Sequence, residues 1–598
     1  MGPRPASRPA SRPSTQTPSR TSLLAYLVFT LGTILYVSVS TAVPYFYSTL
    51  RTRVLETVQI TPSSIDAHPF WRSTSRVEVR LYNITGGTMT HTHTSNTSKA
   101  SPQKLVVAKV GPYVFRKTVS KTSARFTSDG RMVSYRDDVR YVFVPEESVG
   151  SLSDVVTTVN VPLVGVLEAI LSRFPDRSVQ SRVLQYVASL VAGWREGDGG
   201  AMNGVYMTRE VGALLGGYED GLLAFLGRVP GLKGLVGDAR FGLLRNETAE
   251  NESAVWTGVG GDDDDDGATR VGELHAWRGI REVEAYGGLP VRGTDGRQFA
   301  GRMAEGDVGY AYTGDLDDGA VDRAYAVWVG DAFRAIDLRG TPRWDAGLGL
   351  ETTRLVAGAA AFAPDQRTHQ AFAGLFNITA PVNRGRPGPP LFLSLPGFCG
   401  IDDDEVLGGV DGVVCDGDGD GDAGGSLDEI SARHIHLDME PLTGMVARAR
   451  KALMLSTHIG PRYNGAVGPS ADPSNAEHVA SIASIASIAP AFVPIMEGVE
   501  TGSADAAQLH DLRRLQRVVR ACALGGRVLP WVGGAMIVGG LVMILRSLSL
   551  GGEAADGDGN GDGEGEYARL RSDDDDDDDD EDRLEAALRW EEEAREGE

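Results

Sequence analysis

The chain has 598 residues, a formal net charge of -23 and only three cysteines. The acidity is concentrated at one end: from Arg546 onward 22 acids face six arginines, whereas the first 21 residues hold four arginines and no acid. No basic stripe suits nucleic acid. No Pro/Ser-rich linker divides the middle, which reads as one large domain with insertions.

Residues 1–21 are rich in Pro, Ser and Arg and read as a disordered head. Ala6 stands where a myristoylation signal needs Ser or Thr. Residues 22–43, SLLAYLVFTLGTILYVSVSTAV, follow, with no charge between Arg20 and Arg51. A bilayer core needs roughly 20 apolar residues in a helix. The basic flank keeps the head in the cytoplasm. Ser40-Thr41-Ala42 resembles a signal cleavage site, but the run is longer than the ~7–15 residues of a signal core, so an uncleaved anchor is expected. Residues 528–545 form a second apolar run, between Arg527 and Arg546. Residues 51–527 are then exoplasmic, and 546–598 are an acidic cytoplasmic tail. Five glycosylation sequons begin at Asn83, Asn96, Asn246, Asn251 and Asn377, and all lie between the two runs.

Strands dominate after the first anchor. Arg76 to Tyr82 alternates charged and apolar residues with period two. Leu105 to Val110 is a second strand, ended by Gly111-Pro112. Asp129-Gly130 is a tight turn before Arg131 to Tyr135, and Val139 to Val144 follows. Short strands separated by turn signals argue for an antiparallel sheet or barrel. Helical spacing then appears in Val161 to Leu171, Val179 to Val191 and Met207 to Leu226, the last interrupted by Gly212, Gly216 and Gly217. Residues 163–228 therefore read as a helical insertion with nearly balanced charge. Strands return at Ala324 to Val329, Leu391 to Leu395 and His434 to Asp438. The acidic stretches Asp262 to Asp266, Asp402 to Glu405 and Asp416 to Asp422 read as solvated loops.

Chemistry-bearing motifs are scarce. Around Asp416 to Asp422 neither calcium-loop register is complete: one places Leu427 at position 12, the other Ala423 at position 6. His91 and His93 lie in a Thr-rich loop. His434 and His436 share one strand face, which is at most half a zinc site. No nucleophile, metal or phosphate-loop signature occurs, so no enzyme activity, cofactor or metal is expected. Cys399 and Cys415 are spaced to close a short disulfide loop, with three free thiols the alternative. Ala535 and Gly539 make a small-x-x-x-small pair of the kind that serves helix association and homo-oligomers, although Gly is abundant throughout (75 residues).

Six segments, in order, resemble the class B scavenger receptors, which include the fatty-acid translocase and the lysosomal integral membrane protein type 2. They are Val110-Gly-Pro-Tyr-Val-Phe-Arg116, Ser148 to Pro162, Leu214-Leu-Gly-Gly-Tyr-Glu-Asp220, Gly293-Thr-Asp-Gly-Arg-Gln-Phe299, Leu393-Ser-Leu-Pro-Gly-Phe398 and Leu437-Asp-Met-Glu-Pro-Leu-Thr-Gly444. The resemblance implies an α+β ectodomain: an antiparallel β-barrel core with an apical helical bundle, held between two transmembrane helices and crossed by a hydrophobic tunnel. Phe333 stands where the family commonly has Cys, and Gly397 where it has His.

The resemblance implies a glycoprotein that binds fatty acids, sterols or lipoprotein-like particles and passes lipid towards the membrane. The alternative is an endosomal or lysosomal sorting receptor for a protein cargo. The expected apolar entrance is Leu214, Leu215, Leu222, Leu223 and Phe225, each of which also suits plain helix core. Binding by apolar burial should depend weakly on salt. Tyr567-Ala-Arg-Leu570 matches the tyrosine-x-x-bulky signal read by clathrin adaptors, and Ser572 precedes an acidic run. The plasma membrane and the endosome or lysosome both remain as places of residence. With both termini cytoplasmic, protease added to sealed vesicles removes the tail and leaves a glycosylated core; a protected tail would overturn this topology.

Overall fold

The computed structural model describes residues 20–65, 70–86, 104–174, 202–203, 206–228, 240–259, 271–294, 324–345, 348–415, 434–441, 443–459 and 491–553, with isolated positions between 176 and 186. It divides into two bodies: Ser38–Leu529, and the helical segments on either side of it.

Two long helices flank the strands, α1 (Arg20–Val58) at the start and α5 (Ala506–Glu553) at the end. Both contain stretches apolar and long enough to span a bilayer, Leu23–Phe46 and Ala506–Arg546. Within the helical body the two pack through small residues. A β-carbon on Gly533 would lie 3.0 Å from the Gly32 carbonyl, and one on Gly540 would lie 2.7 Å from the Phe29 nitrogen. Gly533 and Gly540 are seven residues apart, two helical turns, and so share a face. Gly539, half of the expected small-residue pair, has no atom within 4 Å of where its β-carbon would stand, and Ala535 is exposed. The contact face is therefore the neighbouring one. Leu23, Leu24, Leu27 and Ile34 leave more than half of their surface uncovered, as side chains facing lipid would.

The Ser38–Leu529 body is built on β1 (Arg72–Gly86), β2 (Leu105–Phe126), β3 (Met132–Phe143), β4 (Val155–Val159) and β5 (Tyr206–Glu210). Further along come β6 (Ser253–Trp256), β7 (Leu274–Ala276), β8 (Ala324–Val329), β9 (Arg334–Asp345), β10 (Glu351–Ala357) and β11 (Leu391–Ser394). The last three are β12 (Ile435–Met439), β13 (Val446–Ile459) and β14 (Ala491–Ser503). The main sheet runs β7-β6-β3-β2-β1-β14-β13-β12-β10-β9-β8, with antiparallel neighbours throughout. In β1 the period-two pattern does what it promises: Val77, Val79 and Leu81 are buried, while Glu78 and Arg80 between them are only partly covered.

The expected closed barrel is corrected here. The end strands β7 and β8 do not pair, so the sheet is open. A single residue spans the gap, Thr294 bridging Glu273 on one side and Val327 on the other. Its neighbour Gly293 has φ +81°, and a β-carbon there would lie 2.2 Å from the Ala326 carbonyl. Only glycine admits that close a passage, which explains the Gly-Thr-Asp-Gly segment.

Two local expectations also change. Gly111-Pro112 does not end β2: pairing with β1 steps from Val79–Tyr113 to Leu81–Val110, and the dipeptide is extruded as a bulge. The region expected as one helix from Met207 to Leu226 is the strand β5 followed by short helices α3 (Val211–Gly216) and α4 (Gly221–Leu226). Gly217, at φ +111°, separates them, a conformation closed to most L-residues. The first expected helix is present as α2 (Val161–Arg173), capped by Asn160, whose side chain accepts from the Leu163 N–H at 3.1 Å. Residues 179–191 lie largely outside the described set.

Leucine at Gly533 or Gly540 should lower thermal stability in lipid nanodiscs, and leucine at Gly539 should not. Equal effects at all three positions would remove the packing assignment.

Candidate functional site

The sheet encloses a cavity of about 1030 Å³, lined by residues of β1, β2, β3, β8, β9 and β11 to β14. One wall is apolar. Val327, Ile336, Leu338, Leu393, Leu437 and Leu453 line it, and all are buried members of one cluster. Their inward aim follows from alternation along β8, β9, β11, β12 and β13.

The other wall carries charge. Lys117 donates to both Glu500 oxygens at 3.0 and 2.9 Å. The Ser75 hydroxyl donates to Glu500 Oε1 at 2.8 Å. Lys451 lies 2.6 Å from Asp331 Oδ2 and 3.4 Å from Glu500 Oε2. All five residues line the cavity. The register explains the convergence: Ser75 stands beside Lys117 across β1 and β2, and Lys451 pairs with Glu500 across β13 and β14. Asp331 joins from the turn between β8 and β9. Asp331 leaves 62 % of its side-chain surface uncovered, but that surface borders the cavity.

The network holds its charge. Burial by itself would raise the Glu500 carboxyl, yet Lys117 and Lys451 drive it far below the ordinary range. Lys451 likewise draws Asp331 down. Burial opposes charge on Lys451, but Asp331 and Glu500 more than offset it and push its ammonium up. A depressed carboxyl contributes stability above its unfolded pKa of about 4, and loses it only as pH falls through the folded value. The network thus stays ionised across the pH range of both cell surface and lysosome. Trp328, also on the cavity wall, is 4 % exposed and its indole Nε1 has no hydrogen-bond partner.

The expected entrance residues sit elsewhere. Leu214 and Leu215 are 1 % exposed and pack with Val77, Val79 and Phe115. Leu223 is buried, and Phe225 packs against the cluster containing α2. The Leu222 side chain lies outside the described set. Leu214, Leu215, Leu223 and Phe225 do not line the cavity. Cys399 and Cys415 form a disulfide, and Cys522 is free. Asn246 and Asn251 are exposed. Asn83 accepts from the Thr157 N–H at 2.8 Å, and Asn377 donates to the His369 carbonyl at 3.3 Å. Asn96, Asp416 to Asp422, Tyr567 and Leu570 lie outside the described residues. No cluster of metal-ligating groups occurs among the described residues. Sequence reasoning missed Lys117, Lys451, Asp331 and Glu500. The available signal was period two: Lys117 and Glu500 each sit in phase with inward apolar neighbours, Val119 and Gly498.

The resemblance motifs serve the frame. Tyr113 donates to Asp154 at 3.0 Å, and burial, then that bond, push its phenol up to about 12. Asp438, fully buried, takes both arms of Arg354 at 2.7 and 2.9 Å. Glu440 accepts from Thr443 and from Gln516 of α5, the latter at 3.0 Å. Gln516 also bonds the Glu351 backbone in both directions, tying α5 to the sheet. Gly397 has φ +65° and no room for a β-carbon, which would lie 2.2 Å from the Val414 carbonyl; its N–H donates to Glu497 at 3.1 Å. Phe333 packs edge-on against Trp277 with ring centroids 5.5 Å apart.

Glu500→Gln should lower stability by about 1–3 kcal/mol, the cost of leaving charged partners unsatisfied. The loss should be the same at pH 5 and pH 7.5, measured by thermal unfolding of paired samples. A loss that vanishes at pH 5 would show that Glu500 is already protonated there.

Residues 30–317 match the model of the CD36 family. Rat scavenger receptor class B member 1 is 27 % identical over 260 residues, 42 % of this chain and 45 % of that protein. Rat lysosome membrane protein 2 is 22 % identical over 363 residues, 59 % of this chain and 64 % of that protein. The Cricetulus griseus scavenger receptor class B member 1 is 24 % identical over 431 residues, 69 % and 71 % of the two chains. The first two matches therefore span roughly half to two thirds of those relatives' own lengths. With an α+β body between two membrane-length helices, and relatives named as a scavenger receptor and a lysosome membrane protein, this chain is a two-pass membrane protein that resembles the CD36 family over residues 30–317.

Proposed function

We propose that the chain is a scavenger-type receptor that takes the hydrocarbon part of a lipid into the sheet cavity. The observation that carries this reading is the apolar wall of a cavity of about 1030 Å³, at the upper end of small-ligand pockets at roughly 300–1,000 Å³. Each methylene moved from water to that wall contributes about 0.8 kcal/mol, so a chain of a dozen supplies ample gross affinity to offset its ordering. The charged wall then orients the ligand, with the polar head towards Lys117 and Lys451 and the hydrocarbon against β8 to β13. Passage of lipid towards the membrane, and an entrance near residues 163–228, belong to the same proposal. In that entrance Leu214 and Leu215 serve as core supporting the region.

Gly498 lines the cavity, and a β-carbon there would meet nothing closer than Met496 Cε at 3.7 Å. Gly498→Phe should fill the cavity without breaking the strand. The full chain in nanodiscs should take up a fluorescent fatty acid or sterol, and Gly498→Phe should lose about tenfold in affinity, the order of 1.4 kcal/mol, with unfolding unchanged. If the wild type takes up neither lipid, the protein-cargo reading replaces this one. If Gly498→Phe binds as the wild type does, the cavity is not the site.

A further inference from the structure

The strands that carry the inner charge network present a second charged row on their opposite face. A groove of about 710 Å³ there is lined by Arg76, Arg116, Arg354, Arg448, Arg450 and His436, with Glu147 as its single acid. The pairing registers align Arg116 with Arg76, Arg76 with Thr501, Thr501 with Arg450, and Arg450 with His436. Four basic side chains therefore stand in one line across β2, β1, β14, β13 and β12. At about 4.8 Å per strand spacing the line is roughly 19 Å long.

Nearby acids neutralise only part of it. Arg76 is paired with Glu78 and Glu147, and Arg354 occupies both oxygens of Asp438. No ion pair among the described residues involves Arg116, Arg448 or Arg450, and Arg450 Nε is buried without a hydrogen-bond partner. Like charges directly opposite one another destabilise a sheet. In a chain of net charge -23, a line of arginines kept at that expense fits a ligand that supplies the missing anions.

We propose that this groove binds a linear sulfated oligosaccharide, laid across the strands from Arg116 at one end to the Arg448 and Arg450 pair of β13 at the other. The guanidinium fork matches a sulfate as it does a phosphate, with two parallel N–H donors. The length of the line selects an extended polyanion over a single anion or one lipid head group, which would meet two of the arginines at most. Arg450 borders both the groove and the cavity, whereas Arg116 and Arg448 line the groove alone, so those two can be changed without touching the lipid site.

The test uses the full chain in neutral phosphatidylcholine nanodiscs and a labelled heparin-type octasaccharide. The wild type should bind it, more weakly as salt rises from about 50 to 300 mM. Arg116→Gln with Arg448→Gln should weaken binding about tenfold while leaving fluorescent lipid uptake unchanged. Arg116 faces Arg76 across β1 and β2, so relief of that repulsion should leave the melting temperature of Arg116→Gln no lower than that of the wild type. Arg116→Glu alone, on an exposed side chain, is the second variant should the double one fold poorly, and it should also weaken binding. The proposal is overturned if the wild type ignores the octasaccharide, or if the folded variants bind it equally well. It is also overturned if inorganic sulfate competes at equal sulfate concentration, or if only phosphatidylserine vesicles bind.

Discussion

The pairing of the first long strand with the last organises the molecule. Thirteen residues separate α1 from β1, two separate β14 from α5, and Arg76 of β1 lies opposite Thr501 of β14. The pairing is antiparallel, so the start of β1 and the end of β14 lie at the same end of the sheet. A chain whose first and last strands are neighbours at the centre of one sheet has to close its longest loop before the sheet is complete. What lies between is free to carry insertions, because the frame does not run through them.

The same central strands carry two chemistries on alternate residues. Lys117, Lys451 and Glu500 line the cavity, and Arg116, Arg76 and Thr501, at the alternate positions, line the outer groove, with Ser75 and Arg450 bordering both. Inside, two cations and two carboxylates neutralise one another; outside, the arginines outnumber their partners. A slip of one residue in the register would exchange the two sets. Burial of Val77 and Val79 against Leu214 and Leu215 resists that slip. The leucines expected at a ligand entrance thus do their visible work as register-setting core.

How far the sequence could be read depended on the range of the signal. Period two in Arg76 to Tyr82 and the run Ala324 to Val329 mark strands because side-chain alternation is local. The membrane helices were legible from composition. Motif order from Val110 to Gly444 carries the family resemblance, yet the motifs are joints: Glu440 holds Gln516, Thr294 spans the sheet ends, Gly397 fits under Val414. Residues recur at such joints because backbone geometry leaves no alternative, so they point to the fold more than to the ligand. The cavity network escaped notice because its four members lie on four separate segments. Only the β1–β14 and β13–β14 pairings bring Lys117, Glu500 and Lys451 within bonding distance. The helix over Met207 to Leu226 was misread because apolar spacing outweighed Gly216 and Gly217, which in the structure decide the matter.

A paired network inside an apolar cavity has consequences that a single buried lysine would not. An acidic lipid head entering the cavity would not meet a free cation. It would have to replace Glu500 or Asp331 on lysines already satisfied, exchanging one carboxylate for another at nearly equal energy. The polar wall would then contribute little net affinity and much orientation. A neutral head group would instead bond at the edge of the network without displacing anything, and the Trp328 indole N–H offers it a donor. Discrimination among lipids in such a site falls mainly to the length and shape of the hydrocarbon against the β8–β13 wall. The charges would fix which way round a bound lipid lies.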